Sequence, residues 1–204
     1  FELQDAEGKV IESGLTTDAS GKIAVSDLTP GNYQLVETKA PTGYELETTP
    51  IKFEVKKGQT EAVQVSMTNE LTKGGFVLTK TDDKTGEVLQ GAVFELQDAE
   101  GKVIESGLTT DASGKIAVSD LTPGNYQLVE TKAPTGYELE TTPIKFEVKK
   151  GQTEAVQVSM TNELTKGGFV LTKTDDKTGE VLQGAVFELQ DAEGKVIESG
   201  LTTD

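Results

Sequence analysis

Between Gly74 and Thr165 the apolar residues fall in short runs, and several alternate strictly with polar ones. None shows the three-to-four spacing of an amphipathic helix. The runs are Phe76–Thr81, Ala92–Gln97, Val103–Leu108, Lys115–Ser119, Asn125–Thr131, Ile144–Val148 and Glu154–Asn162, all rich in β-branched or aromatic residues. Turn-forming clusters separate them: Asp83–Gly86, Ala99–Gly101, Ala112–Gly114, Pro123-Gly124, Pro134–Gly136 and Lys150-Gly151. Seven short strands joined by Gly, Pro and Asp turns predict an all-β sandwich of immunoglobulin-like size.

Because side chains on a strand alternate between faces, the runs also assign an interior. Ile144, Phe146 and Val148 point one way and Lys145 and Glu147 the other. Three other strands carry a polar residue on the apolar face. Lys80 follows Phe76 and Leu78, Glu130 follows Tyr126 and Leu128, and Asn162 follows Val156, Val158 and Met160. Alternation leaves two readings open. Either these are fraying strand ends whose polar groups reach water, or three polar groups meet inside the sandwich.

The same pattern recurs. FELQDAEGKVIESG begins at Phe1, Phe94 and Phe187, and residues 94–204 repeat residues 1–111 without a mismatch. A period of 93 residues is too long for a helical solenoid and suits one small domain, so the chain reads as a tandem array. The expected units are a domain over 1–70 lacking its first strand, a complete domain over 74–165, and the opening fragment of a third over 167–204. The short linker Glu163–Gly168 suggests beads on a semi-rigid string.

Composition narrows the function. With 35 acidic against 19 basic residues the formal charge is −16, which repels phosphate backbones and anionic lipid. Nucleic acid and membrane are therefore not expected as partners. There is no histidine, cysteine or tryptophan. Thiolate and imidazole chemistry and the usual zinc, haem and iron–sulfur ligand sets are thereby excluded, and no cofactor is expected.

The stretch Tyr126-Gln-Leu-Val-Glu130-Thr-Lys-Ala-Pro134-Thr-Gly-Tyr137 resembles the E-box of Cna B-type domains, the B-repeat modules of Gram-positive collagen adhesins and pilins. Every specified position of the pattern Y-x-L-x-E-T-x-A-P-x-G-Y is filled. Leu78-Thr-Lys80-Thr-Asp82 is similar to the family's first-strand lysine segment, Leu89–Leu96 to its second strand, and Leu121–Tyr126 to the turn entering the E-box. The resemblance covers the whole repeat and implies an intramolecular isopeptide bond formed without another enzyme. In it Lys80 would be the nucleophile, Asn162 the electrophile and Glu130 the proton-handling catalyst. The same roles imply Glu37 and Asn69 in the first repeat and Lys173 in the third. An amine taken out of water holds its proton less tightly and a buried carboxyl more tightly. A protonated Glu130 would then hydrogen-bond and polarise the Asn162 side-chain carbonyl. Folding would hold amine and carboxamide together, an arrangement worth on the order of 7–11 kcal/mol of barrier. This is a single-turnover self-reaction, and the chain is not expected to be an enzyme.

Other motifs offer less. Asp82–Glu87 lacks the spacing of a calcium loop and reads as a turn, so no metal site is expected. Lys149-Lys150 reads as a turn with solvated charges, and Thr109-Thr110 and Thr141-Thr142 as turn and edge residues. The expected function is a structural stalk on a Gram-positive cell wall, its partners being the neighbouring repeats. Direct binding of a host matrix ligand by the repeats is the alternative, and a spacer in a secreted multidomain protein a third. The incomplete end repeats have two accounts. Either the sequence is cut out of phase from a longer array, or the Phe169–Thr174 strand of one molecule completes the head of another. In the second case Lys173 would meet Asn69 beside Glu37 and link chains head to tail.

Overall fold

The computed structural model describes residues 1–204, and every regular element in it is a β-strand. Residues 1–71 carry β1 (Glu2–Asp5), β2 (Val10–Glu12), β3 (Gly31–Val36) and β4 (Ile51–Val55), which form one antiparallel sheet in the order β2-β1-β3-β4. The next repeat carries β5 (Gly74–Asp82), β6 (Val93–Asp98), β7 (Val103–Thr109), β8 (Lys115–Leu121), β9 (Gly124–Lys132), β10 (Ile144–Val148) and β11 (Val156–Asn162). Here two sheets form, β10-β9-β6-β7 and β11-β5-β8. Residues 165–204 are a separate compact unit containing only the hairpin of β12 (Val186–Gln190) and β13 (Val196–Thr202).

The two sheets of the complete repeat enclose one core. Phe76 and Leu78 from β5, Phe94 and Leu96 from β6, Leu128 from β9, Val148 from β10 and Met160 from β11 all lie in it. Phe76 packs on Phe146 at 4.9 Å between ring centroids, a tilted arrangement that suits the ring quadrupoles. Strand β5 is central in its sheet. It pairs parallel with β11, Lys80 opposite Met160 and Asn162 opposite Asp82, and antiparallel with β8.

The head shows what that central strand does. Lys22–Leu28 and Val63–Asn69 have the sequences of β8 and β11, yet neither forms a strand. Both would have to pair with a copy of β5, and a strand without a partner leaves its backbone groups unsatisfied. The four-stranded sheet needs no such partner and forms in both repeats. An open cleft of about 840 Å³ lies where β5 would sit, lined by Leu35, Ile51, Val65, Met67, Glu37 and Asn69 among others. In the third unit the expected strand Phe169–Thr174 does not form either. Its backbone makes one isolated bridge, Thr174 to Val181, and Phe169 is 64% exposed.

Candidate functional site

Lys80, Glu130 and Asn162 stand near the ends of β5, β9 and β11. None is at a fraying end. They are 0%, 3% and 2% exposed, continuing the apolar rows that precede them. Lys80 and Asn162 belong to the three-stranded sheet and Glu130 to the four-stranded one, so the trio spans the two layers. In the parallel register Asn162 sits two residues past the partner of Lys80, on the same face and diagonal to it. Lys80 is the seventh residue of its strand, near its end rather than its start.

The Glu130 carboxylate divides its oxygens. Oε2 accepts from the Glu140 backbone N–H at 2.7 Å and from Asn162 Nδ2 at 2.8 Å. Oε1 faces Lys80 Nζ at 3.5 Å, and both side chains are closed to solvent. Asn162 Nδ2 also donates to the Glu138 carbonyl at 2.8 Å. Its amide nitrogen therefore meets Glu130, where the resemblance implied the carbonyl. Lys80 Nζ, Glu130 Oε1 and Asn162 Oδ1 are all buried without a hydrogen-bond partner. Unsatisfied buried polar atoms are scarce in folded proteins, and three in one trio is a costly arrangement. Burial holds the Lys80 amine below its ordinary value of 10.5, an effect larger than the opposing attraction of Glu130.

Neighbouring residues fix this geometry. The Lys80 N–H donates to the Gly114 carbonyl at 2.7 Å, and a Cβ on Gly114 would come within 2.7 Å of the Lys80 carbonyl oxygen. Gly114 also has φ of 71°, so only glycine fits without strain. Two residues past the lysine, Asp82 is 3% exposed. It accepts from the Lys84 and Thr85 N–H groups and from the Tyr137 hydroxyl, the last at 3.1 Å. Those backbone hydrogen bonds hold its carboxyl below the usual range. Thr110 is no edge residue: it is 1% exposed, accepts from the Ala92 N–H and donates to the Leu89 carbonyl. Alternation could have flagged Asp82, which shares the face of Lys80. Nothing in the sequence distinguished Thr110 from Thr109.

The copies are incomplete. Glu37 is buried and its Oε2 accepts from Glu47 N–H at 2.8 Å and Asn69 Nδ2 at 2.7 Å, as in the complete repeat, with no lysine between them. Lys173 is exposed, and its carbonyl accepts from Leu182 N–H. Among groups of His, Cys, Asp and Glu there is none placed to hold a metal ion.

These features define a class: tandem all-β sandwich modules with a buried Lys, Glu and Asn between the two sheets of one module. The chain belongs to the SpaA prealbumin-like fold domain family, whose model matches residues 1–71 and 74–164. It is 30% identical over 180 residues to serine-aspartate repeat-containing protein E of Staphylococcus aureus (strain MSSA476), covering 78% of this chain and 15% of that protein. Bone sialoprotein-binding protein of Staphylococcus aureus is similar to the same degree, 30% over 180 residues, with the same coverage. The solved Bacillus anthracis TIE protein is similar over 100% of this chain and 37% of that one, at 31% identity and a TM-score of 0.60. The chain thus spans 15% of the length of the curated relatives it matches.

Proposed function

We propose that these repeats form a load-bearing stalk in a surface adhesin or pilin-like protein, outside a Gram-positive cell and anchored to its wall. Each complete repeat closes itself with an isopeptide bond between Lys80 and Asn162. The observation that carries this reading is the trio closed off from solvent between the sheets: Lys80 Nζ lies 3.5 Å from Glu130 Oε1, and neither atom nor Asn162 Oδ1 makes a hydrogen bond.

The reaction balances as an amide exchange. The neutral Lys80 amine attacks Asn162 Cγ, the new Nζ–Cγ bond forms, and the Cγ–Nδ2 bond breaks. Glu130 takes a proton released from Nζ through Oε1 and returns one to Nδ2 through Oε2, so ammonia leaves and the carboxyl ends as it began. Turning the Asn162 amide over would instead set its carbonyl on a protonated Glu130, polarising it for attack. Afterwards the amide N–H of the crosslink can donate to Glu130 Oε1, and the orphaned amine is gone. Intact mass should show one ammonia lost per complete repeat, with Lys80 and Asn162 recovered in one branched peptide. Full mass with both peptides unmodified refutes the reading.

A second reading concerns the head. Its cleft holds Glu37 and Asn69 beside Leu35, Ile51 and Met67, while Phe169 and Leu171 stand exposed. A strand of sequence FVLTKT seats in that cleft whichever chain supplies it. Where a second copy supplies it, Lys173 bonds Asn69 and denaturing gels show a ladder. Monomer bands alone under concentrated conditions count against exchange between chains.

A further inference from the structure

We infer that the Pro41–Tyr44 loop of one repeat is a socket for the Lys149–Gly151 turn of the repeat that follows it, and that this seat makes the linker between them a stiff joint. The turn is not simply solvated. Lys150 Nζ lies 3.8 Å from the centroid of the Tyr44 ring, an arrangement in which the ring face attracts the ammonium. Its stem lies against Gly43, where an added Cβ would come 2.5 Å from Lys150 Cγ and 3.1 Å from the Gly151 nitrogen. A side chain at position 43 would fill the seat.

The linker is tied from both sides of this contact. Thr72 N–H donates to the Gly43 carbonyl at 3.0 Å, and Tyr44 bridges to Leu71. On the far side the Gln152 side chain accepts from Lys149 N–H at 3.1 Å and donates to the Gly75 carbonyl at 3.2 Å. Gly74 packs so closely on Val148 that a Cβ would lie 2.7 Å from its Cγ1. Loop, turn and linker therefore close a ring of contacts.

The duplicated sequence supplies an internal comparison. Gly136 has the same backbone class as Gly43, φ of 87° against 81°, but an added Cβ there would meet nothing within 4 Å. Leu164, the copy of Leu71, is 54% exposed. The Pro134–Tyr137 loop has the same sequence as this socket, and the partner it fits is the Lys-Lys-Gly turn of a further copy of this repeat. Such a contact joins two different surfaces and propagates along an array without closing on itself. Relative motion is the default for domains on a short linker, and this joint opposes it.

The test needs no crosslink chemistry. The chain has no cysteine, so Glu7→Cys and Glu100→Cys, equivalent exposed positions in the two repeats, can carry spin labels for a pulsed electron–electron distance measurement. The full chain should give one narrow distance distribution. Gly43→Ala and Lys150→Ala should each broaden and shift it, while Gly136→Ala, equally strained but without the contact, should leave it narrow. A broad distribution in the parent, a narrow one in Gly43→Ala or Lys150→Ala, or equal broadening by Gly136→Ala overturns the joint. Mass analysis of the same samples scores the Lys80–Asn162 bond separately, so loss of one reading leaves the other standing.

Discussion

Pulling on the array distinguishes a crosslinked stalk from an ordinary sandwich most directly. Force enters the complete repeat at Gly74 and leaves after Asn162, so β5 and its parallel neighbour β11 lie across the load. If Lys80 and Asn162 are joined, tension runs along β5 to Lys80, crosses the side-chain bond and leaves through Glu163. The 81 residues between the two are bypassed. At about 3.4 Å per extended residue they hold roughly 280 Å of contour. Only the six residues Gly74–Thr79 precede the bond, and they release about 20 Å at most on the same scale. Asn162→Ala removes the electrophile and should convert a repeat that barely lengthens into one that gives the full step. Single-molecule force spectroscopy on an array of complete repeats reads both values. Steps near 280 Å from the parent chain would refute the load path and, with it, the crosslink.

Glu130→Gln should leave the repeat folded with the ammonia retained, measured by intact mass. Losing closure of so long a loop costs about 4.5 kcal/mol in the chain-entropy model. In a domain of this size that is a fall of roughly 20–35 °C in Tm, readable by calorimetry. In uncrosslinked Asn162→Ala, Lys80 binds its proton less tightly folded than unfolded, so the unfolded state holds more protons below 10.5. Stability should therefore rise with pH from the lowered folded value towards 10.5 and then level, and denaturant titrations of Lys80→Met/Asn162→Ala should lack that rise. Thr110→Val should cost about 1–3 kcal/mol by stripping partners from Ala92 N–H and Leu89 carbonyl. Thr109→Val, at an exposed position, serves as its control in the same denaturant titration.

Alternation, β-branched or aromatic content and turn chemistry together placed all seven strands of the complete repeat, although β7, with Val103 and Ile104 both exposed, does not alternate. Ile144–Val148 has the expected bounds, and the others differ by a residue or two at their ends. The same rule put Lys80, Glu130 and Asn162 on inward faces, and resemblance to a known module gave them roles. Alternation could not decide whether they were inside or merely at strand ends, since parity carries no information on depth. Nor could it find the Glu138 carbonyl, the Glu140 N–H or the buried Thr110 hydroxyl, whose importance comes from where the backbone passes in space. The repeats make the division explicit. Lys115–Leu121 and Val156–Asn162 are strands, while the identical Lys22–Leu28 and Val63–Asn69 are not. Gly43 is packed against Lys150 while Gly136 is open. Residue order determines which segments can pair and which face each would bury. Whether they do so depends on a partner strand or module being present to take their hydrogen bonds and cover their apolar side, and only the tertiary structure supplies that.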